Sequence, residues 1–473
     1  MKLLKIMIFS ALLGVGMLMV NSCKEELPSA MNTSDKFVNI ESIKLTKVGE
    51  DGSITLEGSV DEEKKEVTFP RIDPKTDFSN LKFDVVLSQG AKLDKESYSV
   101  TFEEGVFSAT IRVIVQNLPR TKEYYVKLEQ KVPPIGTDFD NPNIMDYSGN
   151  PLGQSIYTDY TANTTRHSAF DGDNVLIVSR GSSPHILKVS DLRNGVISKR
   201  SLLTTGLDVT GATFTYNSGA IIGDKVFVSN ASSATVSVSR LKIFYYSSHT
   251  ATGQTILNDP MDGRVGDGTS FSIDRNGNGF VYFGYDNNRF VRYRVSNFTT
   301  VSDKTVLTLP SVFSTHWKTF NQAYTSQYYL FTSHQQPINV ANESGVVSYT
   351  MKTGAAGLLT SLNDPKVVVF NKARYLIAGS TPITGFPSMT FYVYDITAGA
   401  TIEEALKKFD ESEVKNPVFQ YSLLGDSNGN PIVNTGYAVK KDEDGNDEKL
   451  LLYAAGAGQG FAIFEFSKKT FED

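Results

Sequence analysis

The sequence predicts an all-β protein, with an N-terminal immunoglobulin-like β-sandwich followed by a β-propeller of six blades. Three observations predict it. Between Phe37 and Lys131 short runs alternate apolar and polar residues, most clearly in Phe107-Ser-Ala-Thr-Ile111-Arg-Val113-Ile-Val115. Further on, a strongly apolar run recurs at Val175–Val178, Val226–Val228, Phe280–Phe283, Tyr328–Phe331, Tyr375–Ala378 and Leu450–Ala454, with first residues 51, 54, 48, 47 and 75 positions apart. Each run follows a turn-forming cluster and precedes a polar loop and an alternating strand, which is the layout of a propeller blade.

The chain opens on Lys2 and Lys5, an apolar run from Ile6 to Val20, and then Val20-Asn21-Ser22-Cys23. These fifteen apolar residues fall short of the roughly 20 that a membrane-spanning helix needs. Residues 1–22 therefore read as a lipoprotein signal peptide and Cys23 as the acylated first residue of the mature chain, although Asn21 stands where a small or aliphatic residue is usual. Residues 23–35 are polar and aperiodic, as in a tether. Loss of Lys2 and Lys5 takes the formal charge from −6 to −8, a poor match to nucleic acid, which needs a basic footprint. Cys23 is the only cysteine, so once it is acylated no thiol remains for a disulfide, a thiolate metal site or a nucleophile.

Residues 36–132 form the expected sandwich, with strands at Ile43–Thr46, Val67–Phe69, Leu81–Leu87, Tyr98–Phe102, Phe107–Val115 and Tyr124–Leu128. Residues 133–150, opening on Pro133-Pro134 and rich in Asp, Asn, Pro and Gly, read as a linker. Residues 151–473 form the propeller. The six apolar runs are expected as second strands, covered by neighbouring blades on both faces, which removes alternation. Third strands are expected at His185–Val189, Val236–Leu241, Phe290–Val295, Val346–Met351, Phe391–Ile396 and Phe461–Phe466. Segments Asn150–Asp159 and Asp426–Val433 leave a seventh blade open. In the long interval, Thr401-Ile-Glu-Glu404 is a capping box followed by Ala405, Leu406 and Phe409 at helical spacing, predicting a short helix on the outside of blade five.

Local motifs point to no reaction. Asp274-Arg-Asn276-Gly-Asn278-Gly279 matches the first half of a calcium loop, but Tyr285 stands where the bidentate carboxylate belongs, and a hairpin turn is the better reading. Asp426-Ser-Asn428-Gly-Asn430 starts alike and ends at Tyr437. Gly456-Ala-Gly458-Gln-Gly460 precedes a strand rather than a helix, which argues against a dinucleotide loop; no cofactor is expected. His167, His185, His249, His316 and His334 lack zinc-site spacing, and no metal site is expected. A catalytic carboxylate pair contributed by two blades stays open.

The loops at one end of the channel gather the binding candidates: Arg166, His167, Arg180, Asn230, Tyr285, Asn288, Arg289, His316, Trp317, His334, Gln335 and Gln336. Guanidinium groups, planar amides and aromatic rings suit sugar hydroxyls and apolar sugar faces, with Trp317 as a stacking platform or, equally open, a core residue.

Lys24-Glu25-Glu26 after the lipobox resembles the surface-export signal of Bacteroidota lipoproteins. Ile43-Lys-Leu-Thr46, Leu87-Ser-Gln-Gly-Ala91-Lys-Leu93 and Tyr124-Tyr-Val-Lys-Leu128 resemble the N-terminal immunoglobulin-like domain of such proteins, and residues 151–473 resemble a β-propeller domain of unknown function among them. The resemblance implies an outer-membrane lipoprotein held by acylated Cys23, facing the exterior, with the periplasmic leaflet as the alternative. It implies, by association, a role in glycan capture or uptake, with a poly- or oligosaccharide ligand and glycan-transport proteins as partners. A propeller glycosidase or polysaccharide lyase and a protein-interaction scaffold are the alternative readings.

Overall fold

The computed structural model describes residues 35–103, 106–132, 134–149, 157, 159, 164–180, 182–233, 239–286, 288–309, 318–333, 335–354, 357–359, 361–381, 388–425 and 432–470. They fall into two compact units, Met1–Pro133 and Pro134–Asp473.

The first unit is a nearly closed seven-stranded sheet. Its strands are β1 (Ile40–Val48), β2 (Ile54–Asp61), β3 (Glu66–Thr68), β4 (Lys82–Leu87), β5 (Lys92–Leu93), β6 (Ser108–Asn117) and β7 (Arg120–Glu129), in the order β4-β1-β2-β3-β7-β6-β5. β3 and β7 run parallel and the other pairs antiparallel. Alternation works as expected in the β6–β7 hairpin, where Val113, Val115, Tyr124, Val126 and Leu128 are buried. The expected strand at Tyr98–Phe102 is reduced to one bridge, Tyr98 to Leu81. A strand not expected, β2, carries Gly58 where an added Cβ would lie 2.8 Å from the Phe69 ring and 2.9 Å from Ile43. Its polar composition hid a strand that needs a small residue for close packing.

The second unit is a ring of six four-stranded antiparallel blades. The inner strands are Thr165–Phe170, Phe214–Ile222, Val265–Ile273, Thr319–Gln322, Leu362–Phe370 and Val433–Lys441. All six apolar runs coincide with second strands, with half-buried Tyr328 just before its strand, and the strand residues are almost entirely buried between blades. In blade four, Val346–Met351 supplies the outer strand (Val347–Thr350) rather than the third, which is Asn339–Ala341. The Asp274 turn is a hairpin: its side chain accepts the backbone N–H groups of Asn276 and Asn278, at 2.9 and 2.8 Å. The segment Asp426–Asn430 lies outside the described residues.

The stretch read as a linker contributes a strand. β8 (Asn143–Asp146) pairs antiparallel with Gly460–Ser467 and becomes the outer strand of blade six, so the ring closes with strands from both ends of the unit. Tyr147 follows it, its N–H bonded to the Phe461 carbonyl at 2.8 Å. Its hydroxyl donates to the Leu192 carbonyl at 2.6 Å, on the short helix α1 (Val189–Arg193) of blade one. Gly460 has φ +94, and an added Cβ would sit 2.4 Å from the Tyr147 carbonyl, so this crossing requires glycine.

The expected helix is α2 (Ile402–Glu411). Thr401 accepts the Glu404 N–H and Glu404 accepts the Ala400 N–H, a capping box displaced by one residue on its return arm. Ala405, Leu406 and Phe409 pack with Leu330, Val340 and Met351 of blade four as well as with Tyr394 and Ile396 of blade five. The helix therefore covers the junction of two blades rather than blade five alone.

Candidate functional site at the channel mouth

Inner strands of a propeller expose one edge to the channel. In blades one, two, three and five they break register near the end where second strands lead to third strands: between Thr165 and His167, Phe214 and Ser218, Val265 and Thr269, and Asn363 and Lys366. A bulge re-aims the side chains it carries. These bulges deliver Asn217, Asp267 and Asp364, none of which the sequence pattern singled out.

One consequence is a polar belt that joins all six inner strands. His167 Nδ1 accepts the Gly219 N–H at 3.3 Å, and Asn217 Nδ2 donates to the Gly266 carbonyl at 2.7 Å. Ser270 Oγ accepts the Phe320 N–H at 2.9 Å, and Asn321 Nδ2 donates to Asp364 Oδ1 at 2.8 Å. Asp364 Oδ2 accepts the Thr435 N–H at 2.7 Å, and Asn434 Oδ1 accepts the Ser168 N–H at 2.9 Å, which returns to blade one. Lys366 adds a bond to Asp364 at 2.8 Å and another to the Thr435 carbonyl. Burial pushes the His167 imidazole down to about 4; the charge of Asp364 opposes this and that of Lys366 reinforces it. Neutral His167 accepting at Nδ1 carries its proton on Nε2.

A second consequence is a charged cluster at the mouth. Arg180, at the end of the second strand of blade one, donates through Nε to Asn217 of blade two at 2.7 Å and through Nη2 to Asp267 of blade three at 3.0 Å. Its guanidinium lies 3.6 Å from the Phe214 ring centroid. Arg264 Nε donates to the other oxygen of Asp267. Lys318, at the mouth end of blade four and only 1 % exposed, donates to the Tyr285 carbonyl at 2.6 Å and, at 3.4 Å, to that of Arg289. Burial lowers its ammonium to about 8, opposed by Asp286 and Asp267 and reinforced by Arg289.

The other sequence candidates separate into several environments. Tyr285 is buried, with its hydroxyl donating to Asp262 and the Arg289 guanidinium 4.1 Å from its ring centroid. Arg289 also donates through Nε to the Asp286 carbonyl at 3.4 Å. Asn230 is buried as a brace, donating to the Arg240 carbonyl at 2.8 Å and accepting the Lys242 N–H at 2.7 Å. Asn288 donates to the Leu309 carbonyl at 2.5 Å. Arg166 is buried at the start of the first inner strand, and Gln335 is exposed with φ 57. The Gln336 carbonyl accepts the Thr332 hydroxyl at 3.1 Å. Cys23, His316, Trp317 and His334 lie outside the described residues. Among the described residues no group of three or more His, Cys, Asp or Glu side chains is placed to hold a metal ion, and no helix is long and apolar enough to cross a membrane.

The fold and this site define a six-bladed β-propeller with a polar belt and a pre-organised, charged channel mouth. The chain belongs to the family of the domain of unknown function DUF4623, whose model matches residues 25–469. The crystal structure of a DUF4623 family protein from Bacteroides eggerthii is similar to it at 36 % identity, covering 92 % of this chain and 99 % of that one with a TM-score of 0.69. A glucose dehydrogenase (9 % identity, 64 % and 96 % coverage, TM-score 0.37) and BamB from Moraxella catarrhalis (10 % identity, 63 % and 71 % coverage, TM-score 0.28) are too distant to bear on this chain. Among curated proteins no relative matches the sequence.

Proposed function

We propose that this is a lipid-anchored outer-membrane protein, facing the exterior, whose propeller mouth binds a poly- or oligosaccharide. The N-terminal unit is read as an immunoglobulin-like spacer in the chain between acylated Cys23 and the propeller. The observation that carries the reading is the Arg180–Asn217–Asp267–Arg264 cluster, which three blades hold in one arrangement through their own side-chain hydrogen bonds. Pre-ordered guanidinium and amide groups bind polar ligands at a low ordering cost. Phe214 beneath Arg180 gives the cluster a rigid support, as Tyr285 does for the neighbouring Arg289.

The test is a glycan-array and affinity-electrophoresis screen of residues 24–473, beside the Arg180→Ala variant, with product analysis on every hit. Retention without product, lost in the variant, is the expected result. A cleaved product would replace the binding reading with a glycosidase or lyase. Absence of any glycan signal would refute it in favour of a scaffold.

A further inference from the structure

The donors and acceptors at the channel mouth are unequally occupied. Asp267 is engaged at both oxygens, by Arg180 and by Arg264, while Asp286 takes the Arg264 backbone N–H at 3.0 Å on one oxygen and Asp262 the Tyr285 hydroxyl on one. Two of the cations keep open donors. Arg264 uses Nε on Asp267, and Arg289 uses Nε on the Asp286 carbonyl. Neither has a partner for its terminal Nη atoms among the described residues. Both are partly exposed, and the turn at Asp286 joins them, since its side chain takes the Arg264 N–H and its carbonyl the Arg289 N–H.

Arg180, Arg264, Arg289 and Lys318 here meet Asp262, Asp267 and Asp286, in a chain whose formal charge is −6. A neutral sugar calls for mixed donors and acceptors. Two guanidinium groups with open Nη donors, beside an Asp267 already engaged at both oxygens, call for a compact oxyanion, which such groups grip through paired N–H donors. We propose that Arg264 and Arg289 are an anion-recognition pair, and that the ligand is an acidic glycan carrying uronate carboxylates or sulfate esters. This rests on the glycan-binding reading above and narrows it.

The experiment titrates residues 24–473 with three polymers: a neutral glucan, a polyuronate and a sulfated glucan. The polyuronate or the sulfated glucan binds, the responding arm names the anion, and added salt weakens binding. Arg264→Gln and Arg289→Gln each weaken it by about tenfold or more, as loss of a charge-assisted contact does. Arg264→Lys keeps the charge but loses the fork and also weakens it. Arg294→Gln, on the third strand of blade three, breaks an exposed pair with Asp303 of the outer strand and leaves binding unchanged. Thermal unfolding checks that each variant is folded. Binding of the neutral glucan alone, or acidic-glycan binding untouched by the substitutions at positions 264 and 289, overturns the pair while glycan binding stands. No retention of any polymer overturns both.

Discussion

Asp364 is the residue on which three blades meet, accepting from Asn321 of blade four, Lys366 of its own blade and Thr435 of blade six. It holds a left-handed backbone, φ 49, directly before Pro365, a conformation that costs about 1–3 kcal/mol and persists because four donors enforce it. Burial alone would raise its carboxyl, but Lys366, Thr435 and Asn321 outweigh burial and hold it below the ordinary 3.8. Below that value the unfolded chain binds the extra proton first, so this stabilisation is present above 3.8 and fades as pH falls. Asp364→Asn, which tolerates the backbone but loses the charge, is expected to cost about 2–3 kcal/mol in urea unfolding at pH 7. The difference from wild type should shrink below 3.8. His167 has the same pH sense through the opposite charge. With its folded value near 4 and its ordinary value 6.5, the unfolded state takes up the proton first as pH drops between them. The melting temperature should therefore fall over that interval. His167→Gln should flatten the slope, leaving the part due to buried His185, which burial also lowers.

At the level of elements, α2 shows how an insertion is stabilised from both ends and one face. Its cap closes through Thr401 and Glu404, and Asp410 accepts from the Tyr349 hydroxyl and the Lys352 N–H, both at 2.7 Å, which fastens the last turn to the outer edge of blade four. Leu406 is fully buried against both blades. Leu406→Ala should lower unfolding free energy by about 2–4 kcal/mol, and Thr401→Ala by about 1 kcal/mol, measured by chemical denaturation. Equal effects of the two would place the helix's stability in its cap instead of its packing. The residues of this helix were legible because capping and 3.6-residue periodicity are local signals. Its partner blade was not, because nothing within Thr401–Glu411 encodes that Leu330 and Val340 lie opposite.

The molecule as a whole depends on β8. That strand covers the outer edge of Gly460–Ser467, and Tyr147 beyond it bonds blade one. A chain beginning at residue 134 retains the closure, whereas one beginning at 148 exposes a long strand edge rich in Phe and Ile. Calorimetry with light scattering should show the first monomeric with a single transition. The second should melt lower and self-associate, because an unpaired edge recruits other strands. Equal melting of the two would mean that the ring closes without β8.

Local patterning by itself determined the all-β class, the blade period, the six second strands, the hairpin at Asp274 and the α2 cap, since each is written in contiguous residues. Only the tertiary structure decided that residues 143–146 complete the last blade. Likewise, only there do Arg180, Asn217, Asp267 and Arg264 become one cluster, and do Asn321, Asp364 and Asn434 join in a belt. These groups lie on different blades and on bulges, and what brings them together is ring closure, which acts over the whole length of the propeller and leaves little periodic mark in any one segment. The Gly266-Asp-Gly268 triplet inside the strand Val265–Ile273 was the one local hint, because glycines flanking a charge in a strand mark a bulge and a close approach. An added Cβ at Gly268 would lie 2.1 Å from the Lys318 carbonyl, so the glycine there is required by the next blade, a neighbour about fifty residues away in the chain.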